Sequence, residues 1–211
     1  MENSRDYLLY LVSDSRFEGS KSMYDQIEEA IKNGVTMLQF RDKSLGDEKF
    51  LSMAIKLREL TNRYSIPFII NDKVELAIKC GADGVHIGRS DMSIKEGREK
   101  LGTEMLIGSS VATVEEALKA QEAGANYLGV GAMFSTTTKS DTRSVTPDTL
   151  KEICNAINIP ALAIGGINET NIVKLKMTGV SGVAVVSAIF AKNDIASATK
   201  ELRNTCEGLF Y

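Results

Sequence analysis

Short apolar segments of strand length alternate along this chain with longer segments in which apolar residues recur at helical spacing. The strand-length segments, eight in number, cover residues 7–13, 36–41, 67–71, 84–88, 105–110, 127–131, 161–165 and 183–187. After the second of them, Phe50, Met53, Ala54 and Leu57 fall at positions i, i+3, i+4 and i+7, which predicts a helix with one apolar face. The strands are apolar on both faces of their pleat, as is typical of buried parallel strands.

Turn and capping residues mark the boundaries between these elements. Ser93 and Glu96 have the spacing of a capping box, and Thr146-Pro147 places proline at a first helical position. Helix ends closed by a left-handed glycine are predicted at Gly34, Gly81, Gly102, Gly124 and Gly179. Strand followed by helix, eight times in 211 residues, predicts an α/β fold: a (β/α)8 TIM barrel, one compact domain over residues 1–211 with few insertions. A doubly wound open sheet remains the alternative, because counting elements does not separate the two.

Composition and charge narrow the range of partners. The net charge of -3 and the absence of a polybasic run predict no binding to nucleic acid. No apolar run approaches the roughly 18 residues of a membrane span, and the first residues lack the apolar core of a signal peptide. Cys80, Cys154 and Cys206 lie far apart, which predicts reduced thiols in a cytoplasmic protein. The outer helix faces leave the oligomeric state open, a homo-oligomer included.

Polar residues collect where the predicted strands end. In a (β/α)8 barrel the active site lies at the carboxyl ends of the strands, which we call the barrel mouth together with the loops that follow them. This rule selects Gln39, Arg41, Lys43, Asn71, Asp72, Asp91, Ser110, Thr136, Thr138, Lys139, Gly165, Gly166 and Ser187.

The glycine pair after the seventh strand indicates a phosphate site. Gly165-Gly166 allows backbone amides to approach an anion closely, and Val186-Ser187 stands beside it after the eighth strand. The loops after strands seven and eight are where this fold commonly binds phosphate. A tight turn without a ligand is the alternative interpretation.

Two aspartates in neighbouring loops indicate a magnesium site. Asp72 and Asp91 offer hard oxygen ligands, and Mg²⁺ shares such ligands with waters and substrate phosphates. Asp72 has a structural alternative, because it stands three positions before Glu75 with capping-box spacing. Asp91 has no equally good alternative, since Ser93 is the better cap for the following helix.

Cationic side chains at the mouth would complement a diphosphate. Arg41 offers a two-pronged clamp, whereas Lys43 and Lys139 are point charges, and Lys43 is equally well explained as a solvated charge. Lys139 follows three threonines in a long loop, residues 132–145, that could close as a lid over a charged ligand. The sole histidine, His86, lies inside a strand, so it is interpreted as a barrel residue, and a Ser-His-Asp triad is not expected.

Five segments, taken in order, resemble the motif set of the thiamine-phosphate synthase family. They are Gln39-Phe40-Arg41-Asp42-Lys43, Ile69-Ile70-Asn71-Asp72, Asp83-Gly84-Val85-His86-Ile87-Gly88 through Asp91, Thr136-Thr137-Thr138-Lys139 and Ile164-Gly165-Gly166-Ile167. The resemblance runs from about residue 7 to residue 190. Each segment alone is weak, but their shared order and the twenty positions from Asn71 to Asp91 make the resemblance specific.

The resemblance implies a transferase of thiamine biosynthesis. Such an enzyme joins hydroxymethylpyrimidine diphosphate to hydroxyethylthiazole phosphate and releases thiamine phosphate and diphosphate, with Mg²⁺ as cofactor. It implies magnesium ligands at Asp72 and Asp91, catalytic roles for Lys139 and Arg41, and a pyrimidine contact at Ser110. The pyrimidine diphosphate would be held by Gln39, Arg41, Lys43, Asn71 and Lys139, and the thiazole phosphate by Thr136, Thr138, Gly166, Val186 and Ser187.

Two departures from the family pattern bear on this interpretation. Arg89-Ser90 replaces the usual Gln-Glu before Asp91, which keeps the ligand but changes the charge beside it. Ala112 stands where the related thiazole tautomerases depend on a histidine, and this argues against that activity. A phosphate-handling isomerase or epimerase, and a ligand-binding relative without catalysis, remain the rival classes.

Replacing Lys139 tests the predicted electrostatic role of the threonine-rich loop. Lys139→Ala is expected to lower kcat by well over tenfold, because one preorganised contact to the leaving diphosphate is lost. Steady-state formation of thiamine phosphate measures the effect. A near-normal kcat would rule out the role proposed for Lys139.

Overall fold

The protein is a closed barrel of parallel strands surrounded by helices. The computed structural model describes residues 4–88, 92–136 and 143–211. The strands are β1 Leu9–Val12, β2 Met37–Phe40, β3 Phe68–Asn71, β4 Gly84–Ile87, β5 Leu106–Val111, β6 Tyr127–Val130, β7 Ala161–Ile164 and β8 Gly182–Val185. The helices are α1 Met23–Lys32, α2 Asp47–Tyr64, α3 Val74–Cys80, α4 Ile94–Leu101, α5 Val114–Glu122, α6 Pro147–Ala156, α7 Ser187–Phe190 and α8 Ile195–Phe210.

Pairing of the first strand with the last closes the sheet. Each strand pairs in parallel with the next along the chain, and β1 pairs with β8, placing Leu9 opposite Val183. The (β/α)8 prediction is therefore confirmed, and the doubly wound open sheet is wrong. All eight predicted strands are present, with ends that shift by at most a few residues.

Two apolar layers account for the stability of this arrangement. The larger lies between the barrel and its helices, and it includes the predicted stripe of α2, where Phe50, Ala54 and Leu57 are buried and Met53 is half-buried. The smaller fills the barrel itself and is made of Tyr7, Tyr10, Val12, Met37, Ile69, Tyr127, Leu162 and Ala184. The strands are therefore apolar on both faces because one face packs against the helices and the other fills the barrel, as in other buried parallel sheets.

Most predicted boundaries are confirmed, with one exception. Ser93 and Glu96 form a reciprocal capping box, and Thr146 caps α6 ahead of Pro147. All five predicted end glycines adopt positive φ. The segment between β7 and β8, however, contains only the 3-10 helix Ile172–Leu175 in place of the predicted α-helix.

Within the described ranges, no helix is long and apolar enough to cross a membrane. The three cysteines carry free thiols. Burial raises the pKa of Cys206 to about 12, and that of Cys154 to about 11, so both are unreactive thiols at neutral pH.

Arg98 of α4 connects the segments that precede β5 and β6, at the end of the barrel opposite the mouth. Its guanidinium donates to the carbonyl oxygens of Gly102, Met105 and Gly124 and to Oδ1 of Asn126, at 2.7–2.8 Å. The Asn126 oxygen in turn accepts from Ile107 N at 2.8 Å. One side chain therefore satisfies the loops that lead into β5 and β6.

Removal of this guanidinium is expected to destabilise the barrel. Arg98→Met leaves part-buried carbonyls without a donor and should lower the free energy of unfolding by roughly 2 kcal/mol. In a chain of this size that corresponds to a fall in Tm of about 4–8 °C. The control is Lys95→Met, an exposed position on the same helix, and differential scanning calorimetry makes the comparison. Equal Tm values for the two variants would contradict the role of Arg98.

Candidate active site

A cavity opens at the barrel mouth and brings most of the predicted site residues together. Its lining includes apolar side chains such as Val12, Ile164 and Val185. Among the described residues predicted for the site, the cavity is lined by Gln39, Arg41, Asn71, Ser110, Thr136, Gly165, Gly166, Val186 and Ser187. Lys43 is exposed and Asp72 is half-buried, and neither lines the cavity. Asp91, Thr138 and Lys139 lie outside the described residues.

Arg41 follows β2 and is fixed by the end of the neighbouring strand. Ser13 Oγ accepts from Arg41 N at 2.8 Å and donates to Arg41 O at 3.0 Å. Ser13 is fully buried, so this double contact is shielded from water. The backbone of Arg41 is thereby held while its side chain faces the cavity, which suits a residue that clamps an anion.

Asp72, which follows β3, turns its carboxylate toward Gly88 at the end of the neighbouring strand β4. Its φ is +60°, Oδ1 accepts from Gly88 N at 3.2 Å, and Oδ2 accepts from Asn71 Nδ2 at 2.5 Å. Helix α3 begins at Val74, with Lys73 at the N-cap and no side-chain cap. The capping alternative for Asp72 is therefore wrong.

The donor set at this edge is compatible with a hard divalent cation. Asp72 contacts Gly88 N, which stands three positions before Asp91 in the sequence, and magnesium in proteins takes one or two carboxylates and keeps waters and phosphate oxygens. No group of three or more His, Cys, Asp or Glu side chains suited to a metal occurs within residues 4–88, 92–136 and 143–211. A cage made only of protein ligands is thus not seen in this part of the chain.

The opposite edge of the cavity is formed by backbone. Gly165 and Gly166 have φ of +100° and +65°, and a Cβ at Gly166 would lie 2.4 Å from Ser135 O. Asn171 Nδ2 donates to Gly166 O at 2.8 Å, which holds the turn in place. Ser187 is the first residue of α7, where the leading backbone N–H groups have no partner within the helix. The combination is suited to an anion such as a phosphate.

The loop after β6 is anchored beside the glycine pair. Met133 N donates to Ile164 O and Phe134 N donates to Gly165 O, both at 3.0 Å. At its base, Ala132 and residues 143 and 145 exchange backbone hydrogen bonds, so the two ends of the loop meet. The interpretation of residues 132–145 as a lid includes residues 137–142, which lie outside the described residues, and it stays a prediction.

The barrel interior contributes three residues that the sequence did not place in the site. His86 lines the cavity, with Nε2 2.9 Å from Ser110 Oγ and Nδ1 3.3 Å from the Tyr127 hydroxyl. The Tyr127 hydroxyl lies 2.8 Å from that of Tyr10, which accepts from Gln39 Nε2 at 2.8 Å. Burial raises the pKa of both tyrosines above their ordinary range. The interpretation of His86 as a hydrogen-bonded barrel residue is confirmed, but the ring also faces the cavity.

Fold and site together define a class: a closed (β/α)8 barrel with a partly apolar cavity at its mouth, where barrel enzymes place their active sites. Within that class, the family model described as thiamine monophosphate synthase matches residues 9–189. The chain belongs to the thiamine monophosphate synthase family.

Individual relatives agree with this assignment. The chain is 43% identical over 202 residues to the thiamine-phosphate synthase of Ruminiclostridium cellulolyticum, covering 96% of each chain. It is 47% identical over 190 residues to that of Clostridium acetobutylicum, covering 90% of each. Among solved structures, thiamine phosphate pyrophosphorylase from Pyrococcus furiosus superimposes with a TM-score of 0.90 at 35% identity, covering 99% of both chains. The resemblance inferred from the motifs is therefore confirmed.

The glycine turn after β7 can be tested with inorganic phosphate as the probe. Gly166→Ala is strained by its positive φ and by the contact with Ser135 O, so phosphate should stabilise this variant far less than it stabilises the wild type. Thermal unfolding across a phosphate titration measures the effect, with an expected loss of affinity of roughly tenfold or more. Gly19→Ala is the control, since a Cβ there meets nothing within 4 Å. The phosphate assignment is wrong if both variants gain the same Tm as the wild type.

Proposed function

We propose that this chain condenses hydroxymethylpyrimidine diphosphate with hydroxyethylthiazole phosphate, giving thiamine phosphate and diphosphate. The proposal is supported by one observation: a single cavity has a surface suited to an anion on each of two sides. The chain that forms this cavity belongs to the thiamine monophosphate synthase family. Arg41 and Asn71 stand at the edge formed by β2 and β3, and Gly166 and Ser187 at the edge formed by β7 and α7. Two phosphorylated ligands would face each other across the cavity.

The pyrimidine diphosphate is assigned to the first edge. Arg41 would grip its phosphate oxygens while Ser13 holds the arginine backbone. Gln39, Asn71 and Ser110 would contact the rest of this substrate from the cavity wall. Lys43, from its exposed position, and Lys139 would add positive charge.

Magnesium is assigned to the same edge. Asp72 and Asp91 would hold Mg²⁺, which when bound supplies Lewis-acid stabilisation of negative charge on phosphate oxygens. The orientation of Asp72 toward the β4 loop, rather than into a helix cap, supports its availability as a ligand.

The thiazole phosphate is assigned to the second edge. The amides of Gly165, Gly166 and Ser187 would bind the phosphate, with Val186 beside it and Thr136 and Thr138 offering hydroxyls. The apolar wall formed by residues such as Ile164 and Val185 would exclude water from the space between the substrates.

The chemistry asks little of the protein beyond positioning and charge. The C–O bond between the pyrimidine methylene and diphosphate breaks, and its electron pair leaves on the diphosphate oxygen. Arg41 and Lys139 would stabilise the negative charge that develops there. The thiazole nitrogen donates its lone pair to the methylene carbon and forms the C–N bond. That nitrogen carries no proton, so no general base is needed. An isomerase or epimerase would need one, and within the described part of the cavity lining the candidate is His86, whose two ring nitrogens already contact Ser110 and Tyr127.

We further propose that residues 1–211 act as one catalytic domain in the cytoplasm and take only small-molecule substrates. The net charge of -3 argues against nucleic acid as a ligand.

A coupled incubation tests the proposed reaction. The protein, both phosphorylated precursors and Mg²⁺ are incubated, with a parallel sample in chelator, and thiamine phosphate and diphosphate are measured. We expect equimolar products, formed only when Mg²⁺ is present. If folded protein yields no product under conditions in which a known synthase is active, the proposed reaction is excluded.

Asp72→Asn tests the magnesium assignment separately. The amide keeps the size of the side chain but lacks the charge, so kcat should fall by more than about tenfold and half-saturation should require more Mg²⁺. Asp148→Asn, in the exposed first turn of α6, is the control and should behave as the wild type. An unchanged Mg²⁺ dependence in Asp72→Asn would remove this residue from the metal site.

A further inference from the structure

A continuous chain of hydrogen bonds crosses the barrel from one side of the cavity to the other. It runs from Gln39 through Tyr10, Tyr127 and His86 to Ser110, and we call it the core hydrogen-bond chain. Its successive distances are 2.8, 2.8, 3.3 and 2.9 Å. Both ends line the cavity, whereas the two tyrosines are at most 2% exposed. These hydrogen bonds therefore link two parts of the cavity wall, one on β2 and one on β5, through the protein interior.

Glycines on two neighbouring strands, β5 and β6, leave the space that this arrangement occupies. A Cβ at Gly108 would lie 2.1 Å from Tyr127 Cζ and 2.6 Å from His86 Nδ1. A Cβ at Gly129 would lie 3.2 Å from His86 Cε1. The tyrosine and the imidazole thus occupy space that only glycine leaves open, which argues that the core hydrogen-bond chain is a built feature of the barrel.

Given that the Gln39 amide nitrogen donates to Tyr10, proton counting leads to one direction for the remaining hydrogen bonds. A phenol has one proton to donate, and because Tyr10 accepts from Gln39 Nε2, its own proton goes to Tyr127. Tyr127 must then donate to His86 Nδ1, which leaves the imidazole proton on Nε2 to be donated to Ser110 Oγ. The Ser110 proton is consequently directed away from His86. Burial raises the pKa of both tyrosines, so the phenols keep their protons.

At the other end of the core hydrogen-bond chain, Gln39 presents a hydrogen-bond acceptor, its Oε1, to the cavity. Gln39 is 3% exposed and lines the cavity, and its amide nitrogen is occupied by Tyr10. Its Oε1 accepts no hydrogen bond from any group in the described part of the chain. Leaving a buried amide oxygen without a donor is unfavourable, so a ligand that displaces water from this atom must itself supply a donor. The cavity therefore offers an acceptor at Gln39 and a donor at Ser110.

We propose that Tyr10, Tyr127 and His86 are positioning residues that hold this acceptor–donor pattern and so select an amino-substituted ring over its oxo counterpart. The inference rests on the proposed function and deepens it. An aminopyrimidine would donate from its amino group to Gln39 and accept at a ring nitrogen from Ser110. An oxo ring would instead bring a carbonyl oxygen against the Gln39 oxygen. Accommodating it would require the amide and every proton of the chain to reverse together.

The tautomer of the histidine gives a direct test on the unmodified protein. His86 is the sole histidine, so nitrogen-15 NMR of labelled protein reports it without overlap. At neutral pH we expect a neutral imidazole ring that carries its proton on Nε2 and no proton on Nδ1. A proton on Nδ1, or a doubly protonated ring, would overturn the proposal, because either state breaks the required direction.

Ring specificity gives the second test. Binding of the amino and oxo forms of the hydroxymethylpyrimidine alcohol is measured by titration calorimetry, which does not depend on turnover. The wild type should favour the amino form by roughly a hundredfold, as sites built around hydrogen bonds do. Tyr127→Phe and Tyr10→Phe each interrupt the core hydrogen-bond chain. In each variant, the ratio of affinities for the amino and oxo forms should fall by about tenfold or more.

Tyr7→Phe is the matched control. Tyr7 is buried beside the Tyr127 ring, with centroids 5.6 Å apart, but its hydroxyl is not part of the core hydrogen-bond chain. It should keep the wild-type ratio. If the wild type does not discriminate, or if Tyr127→Phe weakens both ligands equally, the proposal is overturned. Failure of the proposed function would appear differently, as ring discrimination without formation of thiamine phosphate.

Discussion

Closure of the sheet by the parallel pairing of β1 with β8 is the constraint on which the site depends. The junction is tight, since a Cβ at Gly182 would lie 2.1 Å from Tyr7 O. Only a closed sheet brings the ends of β2 and β3 to face those of β7 and β8 across one cavity. The anion-accepting edges belong to residues more than a hundred positions apart, such as Arg41 and Gly166, yet they line the same space.

The interior of the barrel adds a second constraint, because it combines apolar packing with buried polar atoms. Tyr10 and Tyr127 belong to the small apolar cluster inside the barrel, and their hydroxyls bond to each other. Buried polar groups are tolerated when each has a partner, and a network in which all members are satisfied has a single preferred arrangement. In this barrel the hydrogen bonds extend from Tyr10 to Gln39 and from His86 to Ser110. The same side chains therefore pack the interior and position the groups that face the ligand.

Much of the fold and of the mouth could be predicted from the sequence, for identifiable physical reasons. Apolar segments between glycines mark the strands, and the rule that barrel sites follow strand ends selects Arg41, Asn71 and Gly166 without coordinates. The segment before β8 was harder to predict. There the side chains of Asn168 and Asn171 bond to local backbone N–H groups, which competes with α-helix formation and leaves a 3-10 turn.

The role of the barrel interior could not be predicted, because it depends on contacts between distant strands. Tyr10 and Tyr127 are separated by 117 positions, and nothing in their local sequence shows that their hydroxyls meet. His86 is likewise read as a strand residue until the ring is seen beside Ser110. For Asp72, capping spacing and ligand position give the same sequence signal, and the structure separates them because Lys73 is the N-cap of α3 and no side chain caps that helix.

The central claim is that one cavity holds two anionic ligands at once, at opposite edges. Titration calorimetry with diphosphate and Mg²⁺, in the absence and then in the presence of saturating thiazole phosphate, tests it without any reaction taking place. We expect diphosphate still to bind with one-to-one stoichiometry and with little change in Kd. Loss of diphosphate binding when thiazole phosphate is present would mean a single shared anion site, and would contradict the presence of two anion sites in one cavity.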